Sequence, residues 1–329
     1  MLLADGSNLN PTLLKMATPI VKKRTRTATC SQNELELMYT AKMLSRRRLL
    51  ATLAAPFIRR QDQASKMFED AEAYEQFMGR WSRLVAPLLV DFTDVPETGR
   101  VLDVGSGTGS LAIALGERKP HCHVVGIDPS TEYVAYANSR NPFADRVNFQ
   151  VGDAQDLHFP DKCFQACLSL LVFNFIPDPA KALREVIRVT TPGGRISAAI
   201  WDYGAGMRML RTFWDAAVSV DTRAERLDEK RMPFCRYAEL SELWRQAGLE
   251  DVHEEPLDIT MQFKSFADFW DPFLLGQGPA GTYVRSLDGA QQRALRRELK
   301  RRLSLSEEGA PFGLPARVWA VRGRVPRPC

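Results

Sequence analysis

Apolar and polar positions alternate between two kinds of pattern from residue 100 to 201. Short, dense apolar runs, as in strands buried on both faces, stand at 100–104, 123–128, 163–174 and 195–201, and an alternating strand stands at 146–151. Stretches at helical spacing separate them: one opening at Ser110, one near Ser130 and one over 177–189. Thr191-Pro192-Gly193-Gly194 reads as a tight turn before the fifth strand. Alternating strand and helix predict an α/β fold, a parallel sheet with right-handed crossovers. Ahead of it, Tyr74, Phe77, Trp81, Leu84, Val85, Leu88 and Leu89 form a helical apolar stripe over 70–92. Behind it the pattern predicts helices over 203–220 and 237–247, the latter closed by Gly248, and a sixth strand within 251–263. An aromatic-rich stretch at 265–275, a charged helix over 290–303 and a last strand at 317–322 complete the chain.

The first strand carries candidate chemistry. It runs Arg100-Val101-Leu102-Asp103-Val104 into Gly105-Ser106-Gly107-Thr108-Gly109-Ser110. Glycines allow positive φ and close approach of a ligand to bare main chain. The following helix turns its free N–H groups towards a polar or anionic guest. The dinucleotide fingerprint G-x-G-x-x-G would place its third glycine at 110, where this chain has Ser110. Asp128 ends the second strand, 19 residues beyond Gly109. At that distance an acid can accept both hydroxyls of a ribose. Asp128-Pro129-Ser130 is also good helix-start chemistry, and both roles can hold. After the third strand, Asp153 can accept from an adenine amino group while the Ala154 N–H reads a ring nitrogen. Alone, Gly152-Asp153-Ala154 reads equally as an Asx turn. Together with Asp103, the glycines and Asp128, it reads as cofactor binding.

Composition narrows the classes. A chain of 329 residues that is 45% hydrophobic can bury a sizeable core. Six cysteines (Cys30, Cys122, Cys163, Cys167, Cys235, Cys329) show no C-x-x-C pair, which fits reduced thiols and no metal centre. No apolar run reaches 18 residues. The net charge of +4 is unevenly placed: residues 1–66 hold 12 Lys/Arg against 4 Asp/Glu, and the remainder has more acids than bases. Nucleic acid is therefore not an expected partner. Residues 1–66 read as a basic, disordered extension and 67–329 as the folded domain, with Met67 a candidate natural start. Ser45-Arg46-Arg47 followed by Leu49 and Leu50 is similar to a twin-arginine export signal, but Pro56 interrupts its short apolar part. The favoured location is cytoplasmic.

VLDVGSGTG, GID, VGDAQDL and RVTTPGGR, in this order, resemble the class I S-adenosylmethionine (SAM) methyltransferases, and among them the UbiE-like methyltransferase type 11 group. The resemblance covers about 70–323. It implies a Rossmann-like, doubly wound, mostly parallel seven-stranded sheet of order 3-2-1-4-5-7-6, with helical cap elements and an insertion over about 264–314. It implies methyl transfer from SAM to a small organic acceptor by SN2 displacement. Gly105, Gly107 and Gly109 would form the turn beneath the methionine part, with Asp103 orienting it and reaching the amino group. Asp128 would hold the ribose, Asp153 the adenine, and Leu170 would lie beside the sulfonium; Ser106, Pro129 and Ala154 complete the cofactor set. Ser106 replaces the cysteine common in this loop. Asn174-Phe175-Ile176-Pro177 departs from the NPPY tetrad of many nucleobase and protein N-methyltransferases. No obligatory base is evident; His158 is a weak candidate. The 70–92 helix is either sheet-edge packing or a lid bringing Tyr74 or Trp81 near the methyl group. Trp81, Phe213, Trp214, Phe266, Phe269, Trp270 and Phe273 fit an apolar acceptor pocket, but packing inside a cap is the favoured reading. A nicotinamide oxidoreductase and a non-catalytic SAM- or nucleotide-binding module remain the competing readings.

Overall fold

The computed structural model describes residues 70–305 and 309–328. The basic extension 1–66, its twin-arginine-like stretch and Met67 lie outside the described residues. The described chain opens with helix α1 (Ala71–Tyr74), a π-helical turn (Glu75–Gly79) and α2 (Arg80–Thr93). Then follow β1 (Thr98–Val104), α3 (Ser110–Arg118), β2 (His121–Asp128), α4 (Thr131–Ser139), β3 (Val147–Val151), β4 (Phe164–Leu170), α5 (Pro179–Val189) and β5 (Thr190–Trp201). The remainder is α6 (Arg208–Val220), two 3₁₀ turns (Thr222–Arg226, Glu229–Arg231), α7 (Glu239–Gln246), β6 (Glu250–Phe263), α8 (Phe266–Leu274), α9 (Gly278–Ser286), α10 (Gly289–Arg302) and β7 (Phe312–Arg324).

The strands form one seven-stranded sheet in the order 3-2-1-4-5-7-6. β1 to β5 run parallel, and β7 is antiparallel to both β5 and β6. Helices cover the central strands, so β1 and β4 are apolar on both faces. The edge strand β6 instead alternates, burying Met261 and Phe263 and exposing the residues between. α5 buries Ala182, Leu183, Val186 and Val189, the stripe its sequence spacing predicts. Side chains start several helices: Asp70, Ser130, Asp178, Ser265 and Asp288 each accept a first-turn N–H. Among the described residues, no helix is long and apolar enough to cross a membrane.

Three expectations are corrected. The fourth strand stops at Leu170, not Asn174, because its neighbour β1 pairs with it only from Ala166 to Leu168 and ends at Val104. Leu171 then turns with φ +64°, and 171–178 leave the sheet. Thr191–Gly194 is no free turn. It is a bulge in β5, where Gly193 donates to Val325 and accommodates φ +77°. The helix expected from Tyr203 begins at Arg208, since the Asp202 carboxylate captures the Ala205 N–H and turns the chain first. The helix α9 and both 3₁₀ turns are additional elements.

The insertion lies between β6 and β7, over 264–311, three residues shorter than expected because β7 starts at Phe312. Its aromatic residues pack as a cap core. Phe273 stacks on Phe213 of α6 with ring centroids 4.5 Å apart and meets Phe77 of the π turn edge-on at 5.1 Å. Phe273 is fully buried. Phe273→Ala should therefore lower the unfolding free energy by about 3–5 kcal/mol. Urea unfolding checks this, and a loss below about 1 kcal/mol would mean that the cap is not a packed part of the domain.

Candidate functional site

A cavity of about 420 Å³ opens at the carboxyl ends of β1, β2 and β4. Asp103, Gly105, Ser106, Gly107, Asp128, Pro129, Asp153, Ala154 and Leu170 all line it. Gly109 does not; it caps α3 with φ +96°, and its carbonyl accepts the Ile113 N–H. His158 is displaced from the cavity: its side chain is 88% exposed and stands 3.8 Å from Asp156, on the loop before β4. Of the two aromatics expected near the reacting end, Tyr74 lines the cavity and Trp81 packs in the core.

Backbone hydrogen bonds shape the glycine loop. Gly105 and Ser106 both donate to the Ile127 carbonyl at 2.8 Å. Asp128, at the end of β2, accepts the Gly107 N–H on one oxygen and the Ser130 N–H on the other, each at 2.9 Å. One carboxylate thus fixes both the loop after β1 and the start of α4. Two glycines do different work. A Cβ on Gly105 would come 2.5 Å from Val172, so packing requires glycine there. A Cβ on Gly107 (φ +52°) would find nothing nearer than Tyr133 at 3.9 Å, so the space it leaves belongs to the cavity.

Asp103 is the acid buried inside β1. One oxygen accepts the Ala112 N–H in the first turn of α3 at 3.0 Å, and the other is buried without a partner. Burial, with Asp128 nearby, pushes its carboxyl up to about 8. Burial also raises Asp128, against its two backbone hydrogen bonds. The Ser106 and Tyr133 hydroxyls are likewise buried without partners beside the cavity. Asp153 accepts from the Gln155 backbone at 2.8 Å, so the Asx turn forms and still leaves Asp153 at the cavity wall.

The cavity also has aromatic walls and groups that sequence reasoning missed. Tyr74, Phe175, Ile176, Trp201, Tyr203 and Glu229 line it. The Tyr74 and Tyr133 rings lie 5.5 Å apart. Burial pushes the Tyr74 hydroxyl up to about 12 and raises Tyr203 well above its ordinary value. Glu229 sits on the second 3₁₀ turn and accepts the Trp214 indole N–H at 2.7 Å. Burial pushes it up to about 7, against that hydrogen bond. Nothing in the spacing around Asp228-Glu229 signals this placement; only the fold brings it to the sheet.

Residues 102–198 match the family model described as a methyltransferase domain. A demethylmenaquinone methyltransferase from Thermus thermophilus is 38% identical over 118 residues, which is 36% of this chain and 52% of that protein. One from Paenarthrobacter aurescens is 35% identical over 150 residues, 43% of this chain and 56% of that protein. The chain therefore spans about half the length of these relatives. Among solved structures, the YcgJ protein of Bacillus subtilis superposes with a TM-score of 0.50 at 19% identity, over 76% of this chain and all of its own. A phosphoethanolamine N-methyltransferase of Haemonchus contortus, solved with S-adenosylhomocysteine, superposes with a TM-score of 0.51 at 18% identity, over 82% of this chain and 60% of its own. These likenesses agree with the observed sheet order. Residues 102–198, from β1 into β5, thus match the methyltransferase-domain model, within a sheet that has the fold of the class I SAM-dependent methyltransferases.

Proposed function

We propose that this protein binds SAM in the cavity at the ends of β1, β2 and β4 and transfers its methyl group to a small organic acceptor. The observation that carries the reading is the loop of Gly105–Gly109, fixed by Asp128 over an open space that a side chain at Gly107 would occupy. The donor set fits the group. The unpartnered Asp103 oxygen suits an ammonium, Asp128 and Asp153 suit ribose and adenine donors, and Leu170 offers an apolar wall. When bound, SAM supplies a methyl group already activated on a sulfonium. The protein then holds the acceptor in line and excludes water. Ser110 in place of the third glycine disfavours a nicotinamide cofactor.

The acceptor side is built from Tyr74, Phe175, Ile176, Trp201 and Tyr203, which favours a flat, apolar molecule. The relatives named demethylmenaquinone methyltransferases point to quinone-type rings, which such a cavity suits. Most of those wall residues, Tyr74, Trp201 and Tyr203 among them, lie outside the matched segment 102–198. The ring substituents that this chain accepts are therefore set by its own residues.

Gly107→Val should abolish binding of S-adenosylhomocysteine, measured by calorimetry. The cost in stability should be only about 1–2 kcal/mol, because φ +52° is a left-handed conformation with no neighbour to strike. Retained binding with normal melting would refute the cofactor reading.

Asp103 makes a second prediction. Its ordinary carboxyl value of 3.8 is raised to about 8 by burial in the folded protein. Stability from this group is complete below pH 4 and is lost as pH rises through 8. Asp103→Asn keeps the acceptor for Ala112 and removes that loss. The ligand-free variant should gain a few degrees in Tm relative to wild type between pH 6 and 9, yet bind S-adenosylhomocysteine more weakly. A Tm difference that does not change with pH would contradict the assignment.

A further inference from the structure

We propose that Glu229 accepts the hydroxyl proton of the methyl acceptor; the proposal rests on the methyl-transfer reading of the cavity. The argument starts from what holds Glu229 in place. Arg211 on α6 grips Asp228 with two hydrogen bonds, at 2.9 and 2.7 Å, and the Asp228 carboxylate also accepts the Lys230 N–H at 2.9 Å. One helical turn further along α6, Trp214 donates to Glu229 at 2.7 Å. The Arg211 cation is thus held by Asp228 and, through its Nε, by Asp215 at 3.0 Å, while Glu229 is fixed in direction by a neutral donor.

A carboxylate that is 5% exposed and has only an indole N–H as partner is poorly compensated in the fold. Its other oxygen accepts no hydrogen bond from the described residues, and Glu229 belongs to the cavity wall with Tyr203 and Tyr74. An acceptor hydroxyl entering from the cavity completes that oxygen. The O–H bond breaks, its electron pair stays on the acceptor oxygen, and the proton passes to Glu229. The freed electron pair makes the acceptor nucleophilic without a histidine at the site. Burial tunes Glu229 to about 7, where a carboxylate can take a proton near neutral pH.

Arg211, Asp228 and the Tyr203 hydroxyl, which act on Glu229, keep their protonation states between pH 6 and 8. Arg211 stays charged, and the Tyr74 and Tyr203 hydroxyls stay protonated. Burial raises Asp228, but Arg211 and the Lys230 hydrogen bonds together outweigh it and hold Asp228 below its ordinary value. Asp103, raised to about 8, and Asp128, also raised by burial, line the same cavity and form a background common to all variants.

The test uses 4-ethylphenol, which is un-ionised across this range, and 4-ethylanisole, which lacks the hydroxyl proton, each titrated calorimetrically at pH 6 and pH 8. A phenol that donates to ionised Glu229 binds tighter as pH rises through about 7. Wild type should bind 4-ethylphenol about tenfold tighter at pH 8, matching the rise in the ionised fraction, and should bind 4-ethylanisole equally at both. Glu229→Gln keeps the acceptor for Trp214 and should flatten the phenol dependence. Glu229→Asp, which retains a carboxylate, should restore it, and decides the matter if the Gln variant fails to fold. A flat or absent wild-type response, or an unchanged response in Glu229→Gln, overturns the role of Glu229. S-adenosylhomocysteine binding on the same samples should be unchanged by both substitutions. Its failure in wild type would overturn the methyl-transfer reading separately, leaving the phenol titration to decide on Glu229.

Discussion

The carboxylate of Asp128 joins two pieces of backbone that the sheet alone leaves apart. β1 and β2 run side by side and end together, with Val104 opposite Ile127. Beyond that register β1 and β2 no longer pair with each other, and the glycine loop is held by other bonds. Asp128 reaches across to Gly107 and back to Ser130, while Ile127 takes the N–H groups of Gly105 and Ser106. The loop is thereby fixed with Gly105, Gly107 and Gly109 at positive φ, and the cavity lies in front of it. A charged acceptor of backbone N–H groups forms stronger hydrogen bonds than a neutral one, which suits this position.

The same cavity concentrates buried acid. Asp103 and Glu229 both line it, and burial raises both. Each has one protein hydrogen bond, from a backbone N–H in one case and an indole in the other. Such groups weaken a fold unless a ligand completes them, and strongly perturbed acids in a cleft are a mark of function. Their surroundings divide the labour. Asp103 lies beneath the glycine loop, where a cationic amino group would compensate it. Glu229 lies among aromatic residues, where a neutral hydroxyl suits it.

Much of this was legible in the chain. The dense apolar runs of β1, β2 and β4 and their intervening helices give the parallel sheet. Asp103 stands out because an acid has no packing reason to sit inside such a run. Asp128 and Asp153 were legible through their position at strand ends. The end of β4 was not, because 171–176 is as apolar as the strand itself: Leu171, Val172, Phe175 and Ile176 are apolar because they wall the cavity. Glu229 was not legible for a different reason. Its place depends on Arg211 and Trp214 of α6 folding back over 15 residues or more, and no local pattern records that contact. His158 drew notice only as a histidine near strand ends, and its loop turns it to solvent.

The most direct measurement is a crystal structure of the protein grown with S-adenosylhomocysteine. The sugar hydroxyls should face Asp128, the adenine should lie at Asp153 and Ala154, and the amino group should meet the unpartnered oxygen of Asp103. The sulfur should point towards the compartment of Tyr203 and Glu229. Density for the ligand elsewhere, or a cavity that stays empty at saturating ligand, would contradict the assignment of this site.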